Sequence, residues 1–257
     1  MLTDPRICDI SIIIPTLNEA DCISQTVAWL VEQPGVEVIV TDGGSSDRTP
    51  ALAAAAGARV FSAPAGRGSQ QNAGARAAQG RVLLFLHADT RLPEGFAAQI
   101  RAALALPGIV AGAFRFAIAA KGYRFRLLEQ GVNWRAARLG LPYGDQALFL
   151  SAARFKSLGG FQEIALLEDL ELVLRLRKVG RLALLKTPAL TSARRWQRLG
   201  LLRTTLLNQL ILLGFFCGLS PGRLARWYNR GWGINGGFLG KQEAVQLLIR
   251  DKGKEKV

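Results

Sequence analysis

Histidine, cysteine and acid are all scarce in this chain. There is one histidine and there are three cysteines in 257 residues, and 19 acids stand against 33 lysines and arginines. The cysteines, Cys8, Cys22 and Cys217, lie far apart and are odd in number. That excludes a disulfide scaffold and the clustered Cys/His spacing of a zinc module, and points to a reducing, cytoplasmic setting. No basic stretch followed by an apolar run and a cleavage site opens the sequence, so no secretory leader is expected. Long uninterrupted apolar runs are also missing. The nearest, "LGLLRTTLLNQLILLGFFCGL" (199–219), is broken by Arg203, Thr204, Thr205, Asn208 and Gln209, and its clean part is too short to cross a bilayer. No internal repeat occurs. The shortage of acid leaves a formal charge of +14 and a pI near 10.7, a field that draws polyanions, anionic lipid or phosphorylated small molecules. With no basic arm and no aromatic RNA-binding signature, nucleic acid is not an expected partner.

What is present is a core and a rhythm. Apolar residues make up 49% of the chain, enough for one domain plus an appendage. "DISIIIP" (9–15) is a β-branched run of the kind buried on both faces of a sheet. A helix over 19–33 follows, then a strand over 36–44, a helix over 47–57, a strand over 58–63, a helix over 67–80 and a strand over 81–89. Pro93 opens a helix to about Leu106, and 109–118 reads as a strand. The alternation predicts an α/β fold, a mainly parallel sheet with helices on both faces. Further on, 123–139 is helical and basic, 142–150 turns into a strand, 166–180 is an amphipathic helix with a Gly stop, and 181–187 is a strand. We expect a domain over 1–190 and a helical, basic-amphipathic extension over 191–257 with a disordered tail.

In an open parallel sheet, ligands bind at the carboxyl ends of the strands. Strand one delivers Asn18 and Glu19 there, in "PTLNEAD". Strand two delivers Asp42, in "TDGGSSD". Strand four delivers His87 and Asp89, in "VLLFLHADTRL". Any one of these is an ordinary polar turn or helix cap. Three strands ending in acids or amides make one polar edge. A second acid pair, Glu168-Asp169 in "ALLEDLEL", follows three apolar residues, where a solvated helix face would not put one.

Five pieces, in order, carry a family resemblance: "SIIIPTLNEA", "VIVTDGGSSDRT", "QQNAGARAAQGRVLLFLHADT", "LGGF" and "LEDLELVLRLRKVGR". Together, over about residues 9 to 187, the chain resembles a family 2 glycosyltransferase of GT-A fold. Within that superfamily, "FLHADTRLP", "LPYGDQALF" and "TSARRW" resemble a bacterial subgroup of arsenosugar-biosynthesis or selenodomain-associated glycosyltransferases. The resemblance implies transfer of a hexose, with inversion, from a nucleotide-diphospho-sugar, a UDP-sugar first, to a hydroxyl on a small molecule or a lipid. It implies that Pro15, Thr16, Asn18 and Glu19 line the nucleotide pocket and that Asp42 contacts base or ribose. "HAD" (His87, Ala88, Asp89) stands where relatives carry an Asp-x-Asp type motif. Asp89 would then be the main carboxylate on Mg²⁺ or Mn²⁺. His87 departs from the pattern, and either ligates the metal or holds a phosphate or ribose. Asp169 would be the general base and Glu168 would orient it or meet the acceptor. Arg67 could reach a phosphate, and Gln71 and Asn72 either contact the nucleotide or lie on a helix surface. Tyr143, Gly144, Asp145 and Gln146 would lie under sugar or acceptor. Arg194 and Arg195 would brace the diphosphate and Trp196 would stack on the acceptor, unless these three simply start a basic helix.

Other readings stay open on the sequence. The segment over 199–219, with "RLARWYNR" after it, is either an interfacial helix on an anionic membrane, at the inner face of the cell membrane, or a helix packed on the domain. A nucleotidyltransferase would need a Gly-rich, basic loop after the first strand, which "PTLNEAD" does not supply. A non-catalytic, basic membrane- or polyanion-binding protein is the remaining alternative.

Overall fold

The computed structural model describes residues 8–231, so the expected tail lies outside the described residues. Eight strands form one sheet: β1 (Ile10–Thr16), β2 (Val36–Asp42), β3 (Arg59–Ser62), β4 (Val82–Phe85), β5 (Thr90–Arg91), β6 (Ile109–Ile118), β7 (Phe149–Ser151) and β8 (Arg181–Thr191). Their order is β3-β2-β1-β4-β7-β6-β8-β5. The helices are α1 (Ile23–Val31), α2 (Thr49–Ala55), α3 (Arg67–Ala77), α4 (Phe96–Leu104), α5 (Tyr123–Leu139), α6 (Ala152–Ser157), α7 (Glu168–Val179), α8 (Arg194–Leu199), α9 (Leu201–Phe216) and α10 (Pro221–Gly231).

The first half is the expected parallel unit. β1 pairs in parallel with β2 and with β4, and β2 with β3. Past β4 the sheet turns mixed. β7 is antiparallel to both β4 and β6, and β5 is antiparallel to β8, while β6 and β8 run parallel. The expected fourth strand, 81–89, divides in two: β4 stops at Phe85, and after the "HAD" turn the chain pairs again as β5. β8 runs on to Thr191, four residues beyond the expected end, because its last residues find a partner in β5.

Alternate residues of the central strands feed two cores. Ile10, Ile12 and Ile14 of β1 and Leu84 of β4 join α1 and α4 on one face, while Ile13, Leu83 and Phe85 join Phe155, Phe161 and the apolar side of α7 on the other. Both faces are covered, which is why β1 reads as a continuous apolar run rather than an alternating one. α3 is different: it is polar, yet it buries Gln70, Gln71 and Gly74. A Cβ on Gly74 would lie 2.5 Å from Ile13 Cγ2. Glycine there lets the helix backbone settle directly on the sheet. Leu212 of α9 belongs to the α7 core, and Leu224 and Tyr228 of α10 pack with Ile211 against Leu166 and Leu167, so the C-terminal helices cover the entrance to α7. Among the described residues no helix is long and apolar enough to cross a membrane.

Candidate active site

The carboxyl edge of β1, β2 and β4 is built by its own turns. Asp42 is 5% exposed. Its carboxylate accepts the backbone N–H groups of Gly44 and Ser45 at 3.0 and 2.8 Å and the hydroxyls of Thr16 and Ser45. Asn18 takes a left-handed φ of 56° and its Oδ1 accepts Ser46 N–H at 2.8 Å. The Gln70 amide donates to the carbonyls of Thr16 and Thr41 at 2.8 and 2.7 Å, tying the two strand ends together. The Thr26 hydroxyl donates to the Ala88 carbonyl at 2.6 Å, which fixes the "HAD" turn.

β8 brings a cation to this edge. Thr90 and Thr191 bond through their hydroxyls at 3.1 Å, and Ser192 N–H donates to the Asp89 carbonyl. Two residues later Arg194 Nη2 stands 3.1 Å from Glu19 Oε2 and 3.4 Å from Asp89 Oδ2. The Cys22 thiol donates to Glu19 Oε2 at 3.3 Å. Burial and then the Glu19 charge push that thiol up to about 12, so it stays protonated and is no nucleophile. Burial also raises Glu19, and the Asp89 charge adds to the rise, against the opposing bonds from Cys22 and Arg194.

The second cluster lies beside the first, reached by stepping two residues from Asp89 to His87 and two from Arg194 to Trp196. A cavity of about 150 Å³ has Arg67, His87, Tyr143, Asp145, Glu168, Asp169 and Trp196 in its wall. Glu168 is buried, at 5% exposure. Asp169, in the first turn of α7, is half-buried. Its Oδ2 accepts Gly144 N–H and its Oδ1 accepts Leu170 N–H at 2.7 Å. These two backbone donors hold the carboxyl group in place, and its four lone-pair sites leave room for a third donor. A Cβ on Gly144 would lie 3.0 Å from Asp169 Oδ2 and 3.4 Å from His87 Nε2. His87 thus faces the Asp169 carboxylate across the Gly144 backbone. Burial pushes the Tyr143 phenol up to about 12. The ring of Trp196 meets Phe116 edge-on at 5.8 Å.

Among the described residues three non-glycine positions have positive φ: Asn18, Ala147 and Leu167. One follows β1, one closes the turn that holds Gly144 and one precedes α7. Such backbone costs roughly 1–3 kcal/mol each and persists where surrounding structure imposes it, often at functional sites.

The sequence-predicted residues therefore divide. Thr16, Asn18, Glu19, Asp42, Asp89 and Arg194 meet at the strand edge, and Arg67, His87, Tyr143, Gly144, Asp145, Glu168, Asp169 and Trp196 meet at the cavity. Asn72 is held elsewhere: its amide exchanges two 2.9 Å bonds with the Phe161 backbone. Gln71 is buried in α3. Gln146 is fully buried between the Phe114 carbonyl and the Tyr143 N–H. Pro15 sits within β1, opposite Thr41. The side chain of Arg195 lies outside the described residues. The cavity also contains residues not singled out from the sequence: Arg135 of α5 and Thr205, Asn208 and Gln209 of α9. The last three were visible as polar breaks in an apolar run. Arg135 carried no signal, being one arginine in a basic helix.

A cation cage is not preformed. Among the described residues no three His, Cys, Asp or Glu side chains gather as metal ligands. The donor set on offer is the Asp89 carboxylate, 24% exposed and partnered by Arg194. One carboxylate fits a hard cation such as Mg²⁺ or Mn²⁺ when phosphate oxygens and water complete its shell.

Comparison with known proteins identifies the fold and the family. Succinoglycan biosynthesis protein ExoO of Rhizobium meliloti (strain 1021) is 29% identical over 177 residues, 65% of this chain and 51% of that protein. The chain thus spans about half the length of this curated relative. The mannosyltransferase PcManGT of Pyrobaculum calidifontis, solved with GDP-Man and Mn²⁺, superposes with a TM-score of 0.60 at 17% identity, covering 98% of this chain and 83% of that one. TarS of S. aureus, solved with UDP-GlcNAc, gives 0.56 at 18% identity over 72% of this chain and 58% of that one. Glucosyl-3-phosphoglycerate synthase of Mycobacterium tuberculosis, solved with Mn²⁺, UDP and glucosyl-3-phosphoglycerate, gives 0.52 at 22% identity over 72% and 70%. The fold is the GT-A fold of these transferases. The model of the family described as "Glycosyl transferase family 2" matches residues 11–154, more than half of the chain, and the chain belongs to that family.

Proposed function

We propose that this protein is an inverting glycosyltransferase that moves a hexose from a nucleotide-diphospho-sugar to a hydroxyl acceptor, with Asp169 as general base. The observation that carries it is the placement of Asp169: a carboxyl group in a cavity wall, beside the polar edge of a parallel sheet. The acceptor hydroxyl attacks the anomeric carbon while Asp169 takes its proton. The new C–O bond forms as the bond to the diphosphate breaks, and the nucleotide leaves with the electron pair. One displacement inverts the carbon and needs no covalent intermediate. Arg67 and Arg194 would meet diphosphate oxygens, and His87 would hold the substrate between the two clusters. A divalent cation on Asp89 would neutralise charge on the departing nucleotide. The three solved transferases above hold UDP-GlcNAc, GDP-Man or UDP, and UDP-sugars are the donors we assign first. The arsenosugar-type role rests on the subgroup resemblance alone.

A second observation concerns place. Leu202, Leu206, Leu210, Leu213 and Phe216 of α9 are between 57 and 71% exposed and recur every three or four residues, a single apolar stripe on the outer side of the helix. α10 exposes Arg223, Arg226 and Trp227. We assign this face to peripheral contact with an anionic membrane surface, and on the cytoplasmic side, where the three free thiols would persist.

The test of the enzyme reading is Asp169→Asn. Transfer should fall roughly 10²–10⁴-fold, with nucleoside diphosphate affinity, measured by calorimetry, within twofold of the parent. Unchanged turnover removes Asp169 from the base role.

A further inference from the structure

Arg135 is an unusual member of the cavity wall. Its guanidinium carbon lies 3.5 Å from the centroid of the Tyr143 ring, and its Nε donates to the Leu141 carbonyl at 3.2 Å. Stack and hydrogen bond together fix the plane of the group. Yet Nη2 is buried and has no hydrogen-bond partner among the described residues. Leaving a buried donor unsatisfied costs roughly 1–3 kcal/mol, and more when it is charged. A half-buried guanidinium gains little from leaving that nitrogen unpaired unless a ligand completes it. Arg135 and Asp169 belong to the same cavity, at opposite ends of the chemistry it can offer: one carries a fixed positive charge, the other accepts a proton.

We propose that Arg135 binds an anionic group, carboxylate or phosphate, on the acceptor, so that the acceptor is a hydroxylated anion whose hydroxyl is delivered to Asp169. This deepens the transferase reading and rests on it for the role of Asp169. The guanidinium is the side chain that matches a carboxylate or phosphate through parallel N–H bonds. The rest of the wall sets the size and the remaining contacts. The cavity holds about 150 Å³ and is open to solvent on one side, so it admits a small hydroxylated anion or the headgroup end of a larger one. Phe116, Val132 and Trp196 offer apolar contact, while Asn208 of α9 can bond a second hydroxyl. The helix that exposes leucines outward thus helps close the acceptor cavity inward. The anion can come from a free metabolite or from the headgroup of a lipid beneath α9, and the chemistry at Arg135 is the same.

The experiment is ligand binding to the full chain without any sugar donor, read by saturation-transfer NMR and by competition. Glycerol, glycerate and glycerol 3-phosphate serve as soluble probes, and vesicles of phosphatidylglycerol or phosphatidylcholine as lipid probes. The expected result is binding of glycerate or glycerol 3-phosphate at least tenfold tighter than glycerol, lost in Arg135→Gln and partly kept in Arg135→Lys. Circular dichroism and unchanged UDP affinity confirm that each variant is folded. Preference for phosphatidylglycerol vesicles that falls in Arg135→Gln, with no soluble probe bound, identifies the lipid as the source. Equal binding of glycerol and the anions, retention of the preference in Arg135→Gln, or displacement of the anion by UDP each overturns the proposal. Anion binding that depends on Arg135 in a protein that transfers no sugar leaves the anion site standing and removes the transferase reading instead.

Discussion

The guanidinium of Arg194 lies 3.4 Å from the carboxylate of Asp89, although 105 residues separate them in the chain. The same Nη2 reaches Glu19. One fixed cation therefore stands where two acids of different strands converge, and a divalent ion on Asp89 has to share that carboxylate or displace the arginine. Arg194→Gln should make nucleotide-free Mn²⁺ binding tighter. An ion pair this exposed is worth roughly 0.2–1 kcal/mol, so the gain should be up to about fivefold. Titration of free Mn²⁺ by electron paramagnetic resonance measures it directly. Affinity for UDP should move the other way and weaken, since a diphosphate contact is lost. Unaltered Mn²⁺ affinity would place the cation somewhere other than Asp89.

Glu19 gives the same edge a pH dependence. Its carboxyl pKa is raised by burial, with the Asp89 charge adding to it. The folded state then holds a proton that the unfolded chain has already released. Stability attributable to this group is greatest below its ordinary carboxyl range and declines as pH rises from that range through the raised value. Glu19→Gln removes the titration. The variant should show a flatter thermal-stability profile than the parent across that acid window, and the two should differ least at its acid end. Profiles of equal slope would mean that Glu19 titrates in the folded protein as it does in the unfolded chain.

How much of this arrangement was readable beforehand depends on the range of the contact. The Ile10–Ile14 run, the turn at Asp42 and the "HAD" turn are local, and pattern plus strand-end reasoning located them. The resemblance extended that to Asp169. β7 was readable as a strand, but its antiparallel pairing was not, because three residues at Phe149–Ser151 carry no directional signal. Asn72 and Gln146 look like substrate ligands in sequence, since an amide in a polar stretch gives no hint that backbone 89 residues away, or the Phe114 carbonyl, will claim it. Arg135 is the converse case. Its chemistry comes from stacking on Tyr143 and from burial of one nitrogen, and neither is a property of the helix it sits on. The polar breaks at Thr205, Asn208 and Gln209 were seen, but as flaws in a membrane segment. All three border the cavity, Gln209 from the exposed side of α9.

Gly144 should be intolerant of a side chain for a reason that concerns chemistry more than folding. An added methyl at 3.0 Å from Asp169 Oδ2 requires that carboxylate to shift by a few tenths of an ångström, while at 3.4 Å it would just touch His87 Nε2. Overpacking of that kind costs roughly 1–3 kcal/mol of stability. Misplacing a reacting group can cost up to about 10²-fold in rate. Gly144→Ala should therefore lower kcat by about ten- to a hundredfold while UDP affinity stays near that of the parent. A Gly144→Ala enzyme with full kcat would show that Asp169 and His87 need no fixed spacing for transfer.

His87 tests the two clusters against each other. If the imidazole were on the metal, His87→Asp would complete an acid pair with Asp89 and strengthen Mg²⁺ use. The structure faces His87 toward Asp169 and Gly144, where a new carboxylate would repel the base and the buried Glu168. The expected result is a drop in transfer rate of about tenfold or more, the usual scale for a displaced catalytic neighbour, with the Mn²⁺ to Mg²⁺ preference unchanged. A shift of that preference toward Mg²⁺ would instead put position 87 in the cation's shell.

The outer stripe of α9 makes the last prediction. Leu206 and Leu210 are 64 and 61% exposed, one turn apart, with Leu202 and Leu213 on either side. Apolar surface in such a row keeps its cost in water until something covers it, at roughly 25 cal/mol per Å². Basic residues on α10 favour an anionic cover, and each adds about 1 kcal/mol near such a surface. Leu206→Gln with Leu210→Gln keeps the charge and removes the apolar contact. That double variant should co-sediment with phosphatidylglycerol vesicles at least tenfold less than the parent and should keep its thermal stability, since neither side chain is in the core. High salt should weaken the parent's binding, because the attraction is partly ionic. A double variant that sediments like the parent would assign vesicle binding to the charge of the whole protein, and one that unfolds would show that the stripe is covered by the chain itself.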